Sequence, residues 1–169
     1  MSERGVEMER TAFARGRLHL VVRDADGAVT ERRARNLVLQ AGAELVAGLF
    51  SGADGVRPVD TVMVGFGLDG ADVGATALTP PPPELGIHES ELRSPVQKDD
   101  FGTATDNTER TVRVSIGTVF HPTVELANIT EAGLLAGDRL YNQVVFEPVT
   151  LRPGQDVTFF WEIDFPFGH

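Results

Sequence analysis

The sequence predicts a mainly β fold, an antiparallel β-sandwich of jelly-roll type with one packed α-helix. Three observations carry this reading. From Arg110 onward apolar and polar residues alternate with period two, the pattern of strands that have one buried and one wet face. Turn signals such as Asp26-Gly27 and Pro153-Gly154 separate the runs. One stretch, residues 36–52, carries a helical period instead. With 169 residues, 41% of them apolar, the chain suits one domain with a real core. We divide it into a flexible N-terminal arm, residues 1–16, and a single β-sandwich domain, residues 17–169.

The first element is a hairpin, GRLHLVVRDADGAVTERRA. Leu18, Leu20 and Val22 alternate onto one face, and Asp26-Gly27 supplies the positive φ of a tight turn. NLVLQAGAELVAGLFSG follows, with Val38, Ala41, Leu45 and Leu49 spaced by three and four. Asn36 is its expected N-cap and Ser51-Gly52 its stop. Gly42 and Gly48 each cost about 1 kcal/mol against alanine in a helix. Their small size therefore predicts close packing of the helix on a sheet.

VDTVMVGFG is a short strand. The stretch after it, near residues 68–90, contains Pro80, Pro81, Pro82 and Pro83 in a row. Proline has no amide donor, so this is a surface loop with a polyproline stretch. ELRSPVQK reads as a weak strand interrupted by Pro95, and DDFGTATDNTE as a turn or loop. RTVRVSIGTVF is a strand with Val112, Val114, Ile116 and Phe120 on one face. VELANITEAGLL reads as two short strands around a bend, and RLYNQVVFEPVTL as a strand ended near Pro148. In DVTFFWEIDF, Val157, Phe159, Trp161, Ile163 and Phe165 share one face. Phe160 falls on the other, with Thr158, Glu162 and Asp164.

Charge narrows the function classes. The net charge is -10, but residues 1–35 hold eight arginines against six acids, and the rest holds seven basic residues against nineteen acids. An acidic body does not suit a nucleic-acid backbone, which needs clustered positive charge. The basic first segment reads as a solvated arm, with docking on an acidic neighbouring copy as the alternative. There is no cysteine, hence no disulfide or thiolate site. No run of about eighteen apolar residues exists, so no membrane insertion is expected. The opening MSERGVEMER lacks the apolar core of a secretory leader.

Catalytic and cofactor patterns are weak throughout. His19, His88, His121 and His169 have no helical metal-ligand spacing. Asp24 to Gly27 fits a hairpin turn better than a calcium loop, which needs later oxygen ligands. Gly65-Phe66-Gly67 lacks the third glycine and the helix of a dinucleotide fingerprint. Glu89/Glu91 and Glu162/Asp164 read as solvated faces rather than as an acid–base pair. We therefore expect no catalytic residue, no metal site and no cofactor. Phe160 on a polar face is a candidate contact with a neighbouring chain. Arg15, Arg17 and Pro80 to Pro83 are the other interface candidates.

Taken in order, NLVLQAGAELVAGLF, VDTVMVGFGLDGADVGATALTPPPPELGIHE, SIGTVFHPTVELANITEAGLL and RLYNQVVFEPVTLRPGQDVTFFWEIDF resemble small structural proteins of tailed bacteriophages and phage-tail-like contractile injection systems. The resemblance lies in Asn36 to Gly42, Gly65 to Glu89, Ile129 to Leu134, and Pro153 to Phe165. It implies a non-enzymatic tail-fibre, baseplate or collar component, made in the bacterial cytoplasm and located in the particle. Its partners would be other copies of itself and neighbouring particle proteins. The rival expectation is a carbohydrate- or receptor-binding module at a fibre tip, its partner a cell-surface glycan. NITEAGLL is then a structural corner. Ile129 anchors it, Thr130 and Glu131 form the bend, and Gly133 adopts a backbone shape that a Cβ forbids. Leu134 and Leu135 start the next strand, and Glu131 is either a buried, hydrogen-bonded carboxylate that locks the corner or an exposed acid at a turn.

Overall fold

A computed structural model describes residues 14–168, so most of the expected arm and His169 lie outside the described residues. β1 (Arg15–Arg23) and β2 (Val29–Val38) form the first hairpin, followed by α1 (Gln40–Ser51). Then come β3 (Thr61–Gly65), β4 (Arg93–Pro95), β5 (Phe101–Asp106), β6 (Thr111–Phe120) and β7 (Leu126–Ala136). β8 (Arg139–Leu140), β9 (Asn142–Leu151) and β10 (Asp156–Pro166) complete the chain. The order is β4-β3-β7-β9-β2-β1-β10-β6-β5, with β8 added to β7. All pairings are antiparallel.

The sheet is continuous but curls into two layers. β2 and β9 share three residue pairs, Asn36↔Val144 to Val38↔Asn142. Beyond them the strands part, and Arg32 spans the gap: Nε donates to the Glu147 carbonyl at 2.9 Å and an NH2 donates to the Pro148 carbonyl at 2.8 Å. At the other end the Thr118 hydroxyl donates to the Pro95 carbonyl at 3.4 Å, which brings β6 against β4. One core fills the space between. Leu20, Phe159 and Trp161 come from the β2-β1-β10-β6-β5 layer and Ile129, Leu134 and Val144 from the other. The mainly β, sandwich-like architecture with one helix is thus the one that alternation predicts.

Several boundaries differ from the expectation, each for a physical reason. β1 begins at Arg15, so Arg15 and Gly16 belong to the sheet rather than to an arm. Asn36 is not an N-cap. It lies in β2 with its side chain over Gly16, and Val38 is also strand; the helix starts at Gln40, after Leu39. Gly52 does end it, in the left-handed region at φ 66°. FGTATD, expected as loop, is edge strand β5, and five of its six residues are exposed, so no apolar alternation marks it. β9 continues through Pro148 to Leu151, because the proline lies where β9 has parted from β2.

β7 is one strand, not two strands around a bend. Its irregularity falls earlier: Asn128 has φ 59° and the register with β9 shifts between Leu126 and Ile129. Thr130 and Glu131 are therefore strand residues, and Leu134 and Leu135 continue the same strand. Gly133 has no positive φ. A methyl group there would lie 2.6 Å from Leu140 Cδ1 and 2.7 Å from the Asn142 carbonyl oxygen, so glycine serves close approach. Ile129 to Ala136 are all buried, because the core covers one face of β7 and the segment after β3 covers the other.

Candidate functional site

Two places concentrate chemistry: a buried carboxylate in β7 and the outer face of β2, β1, β10 and β6. Glu131 is 0% exposed. The Gly67 N–H donates to Oε1 at 3.2 Å, the Thr79 N–H donates to the same oxygen, and Gln143 Nε2 donates to Oε2 at 2.7 Å. Gln143 in turn accepts from the Asp72 N–H at 3.1 Å. Thr130 donates its hydroxyl to the Gly67 carbonyl. One carboxylate thus gathers the start and the end of the 67–79 loop, and through Gln143 its middle. Gly65-Phe66-Gly67 follows from this. A methyl at residue 65 would lie 2.5 Å from Oε1, and one at residue 67 would lie 2.8 Å from Oε2. The two glycines leave room for the carboxylate, so this is an ordering device for a loop.

The outer face is built by register. On it Arg17 stands between Arg35 and Glu162, His19 between Arg33 and Phe160, and Arg15 beside Asp164. β6 adds Gly117 opposite Phe160, Ser115 opposite Glu162, and Arg113 opposite Asp164. Six arginines face four carboxylates here, Glu31, Asp156, Glu162 and Asp164, a basic island on a chain of net charge -10. Arg17 pairs with Glu162, and His19 Nε2 lies 3.0 Å from Glu31 Oε2. The His19 hydrogen bond, followed by the charges of His19 and Arg33, holds the Glu31 carboxyl below its usual range. Phe160 lies at the centre, 48% exposed, its ring centroid 6.0 Å from that of His19 and tilted to it. A methyl on Gly117 would sit in contact with the Phe160 ring at 3.8 Å, and with glycine there that flank of the ring has no side chain against it. The resulting open trough has a volume of about 730 Å³.

Arg113 grips Asp164 with both ends of its fork, at 2.6 and 3.1 Å. That hydrogen bond holds the Asp164 carboxyl below its ordinary value and raises the Arg113 guanidinium. A depressed carboxyl stabilises the fold above its unfolded value, near pH 4, and the contribution fades as pH falls through the folded value. The Arg113 side chain is 38% exposed, so solvent limits the effect to about 1 kcal/mol or less. Asp164→Asn is therefore expected to be less stable than the parent at pH 7 by up to about that amount. Urea titrations at successive pH values should show the gap closing below about pH 4.

The structure brings Arg15, Arg17 and Phe160 together on this face. It places Pro80 and Pro81 on the cover of the other layer, beside Met63, Ile87 and Leu135, and leaves Pro82 and Pro83 exposed next to them. Ile129, Glu131, Gly133 and Leu134 lie together in β7. Arg33, Arg35, Arg113, His19 and Gly117 escaped the sequence reading. The tight turn at Asp26-Gly27 signals Arg33 and Arg35, since it sets the hairpin register and so lays the alternate arginines of ERRAR beside Arg17 and His19, whereas Arg113 and Gly117 join through the long-range pairing of β6 with β10. Among the described residues no three His, Cys, Asp or Glu side chains group as metal ligands, and no helix is long and apolar enough to cross a membrane. Comparison of the chain with protein-family models, with curated proteins and with solved structures finds no match.

Proposed function

We propose that this chain is a non-enzymatic structural component of a phage or phage-tail-like particle and acts through repeated contacts between subunits. The observation that carries the reading is the outer face: a half-exposed Phe160 beside His19 on a sheet face rich in arginine, on a strongly acidic chain. An aromatic anchor among guanidinium groups is the composition of an interface centre. The particle itself is suggested by the order of segments from Asn36 to Phe165. Weak contacts repeated by symmetry give strong assembly. The purified chain is expected to form ordered oligomers. Sedimentation velocity across a concentration series and negative-stain images of the largest species test this. A monomer at every concentration would sink the reading.

A specific observation also favours a carbohydrate- or receptor-binding module. The bare flank of Phe160 over Gly117 resembles a stacking platform, and the trough is within the size range of small-ligand sites, about 300–1,000 Å³. Specific glycan-array binding by a monomer, abolished by Phe160→Ala, would favour this second reading.

A further inference from the structure

Resting on the structural-subunit reading, we infer that copies of this chain join head to tail. The basic face around Phe160 of one copy receives the acidic, apolar cover of the next, made by α1 and the loop before β4. The cover is as unusual as the face. α1 turns Ala43, Val46, Ala47 and Phe50 outward, spaced i, i+3, i+4 and i+7, and Phe50 is 95% exposed. Glu44 is the only charged residue of this helix. A helix whose sole partner is its own sheet would carry polar residues there.

The loop extends the same surface. The Gln40 N–H donates to the Val73 carbonyl at 2.9 Å, which sets exposed Val73 at the helix start, and Leu68 is 93% exposed. Residues 40–92 hold eight carboxylates, of which Asp60 pairs with Arg57 and Glu89 with Arg93, so six are left without an ion-pair partner among the described residues. The cover is thus apolar and anionic, and the face around Phe160 is aromatic and cationic.

Charge selects the mode of pairing. A two-fold contact through either patch alone would set like against like, arginines on arginines or carboxylates on carboxylates, which costs several kcal/mol. Joining unlike patches satisfies both. The patches belong to different layers of the sandwich, so a joined pair still has one of each free, the cover of one copy and the face of the other. Such heterologous contacts propagate into a ring or a filament.

The test uses two double variants of the full chain at exposed positions. Arg33→Glu with Arg35→Glu reverses the face, and Asp69→Arg with Glu84→Arg reverses the cover. Sedimentation velocity at low salt is expected to show each variant alone needing at least about tenfold more protein to assemble than the parent. An equimolar mixture of the two should recover assembly, because each supplies the patch that the other has lost. Recovery also shows that both variants are folded. Raising the salt should dissolve the parent assembly and the mixture alike. Variants that each assemble like the parent, or a mixture that stays apart, would overturn the head-to-tail contact while leaving the structural-subunit reading in place. A parent chain that never assembles would remove both.

Discussion

Replacing Glu131 by alanine is expected to lower the unfolding free energy by at least about 3 kcal/mol. Three donors lose their partner at once, the N–H groups of Gly67 and Thr79 and the amide of Gln143. Each buried donor left unsatisfied costs about 1–3 kcal/mol. Glu131→Gln should fall between. Its amide keeps one acceptor but turns an NH2 toward Gln143, which must then flip and abandon the Asp72 N–H. Gly65→Ala and Gly67→Ala press a methyl onto the carboxylate and should cost about 1–3 kcal/mol each. Urea unfolding gives these magnitudes. Hydrogen exchange locates them, because amides between residues 67 and 79 should lose protection first. A Glu131→Ala protein as stable as the parent would remove this account of the loop.

The second large effect reverses the rule that alanine is the better helix former. On propensity alone Gly42→Ala gains about 1 kcal/mol. In this fold a methyl at residue 42 would overlap the Tyr141 carbonyl oxygen, a backbone atom. The Leu39 N–H donates to that oxygen at 3.2 Å, so helix and strand cannot easily separate there. We expect a net loss of about 2–3 kcal/mol, read as a lower urea midpoint. Gly48→Ala is the control. Its methyl meets the end of the Val56 side chain at 2.9 Å, which can turn away, so the change should be small.

Both predictions fall on residues whose meaning the sequence shows only in part. The glycines of α1 do predict close packing, and the alternation of β10 predicts which of its residues are buried. Period two reports a half-buried strand, so it cannot find β5, an edge strand wet on nearly all sides. Nor can it place the start of α1, because Asn36 is covered by its neighbours across the sheet rather than by the helix. Gly65-Phe66-Gly67 and Glu131 are 64 residues apart between Gly67 and the carboxylate. Nothing local in either segment announces the other. The outer face lay closer to hand: Arg15, Arg17 and Phe160 can be named from residue type alone, but their meeting depends on β1 pairing with β10.

That pairing has a consequence for how the protein is made. β1 lies between β2 and β10, so residues 15–23 wait for residues 156–164. On the ribosome the β1–β2 hairpin emerges early, with Leu18, Leu20 and Val22 turned toward water and no core to receive them. A lone two-stranded ribbon is barely stable in water. Closure by such long-range contacts is slow, on the order of milliseconds to seconds. Nascent chains growing side by side on one messenger therefore present sticky, unfinished hairpins to one another until each has been translated through Pro166.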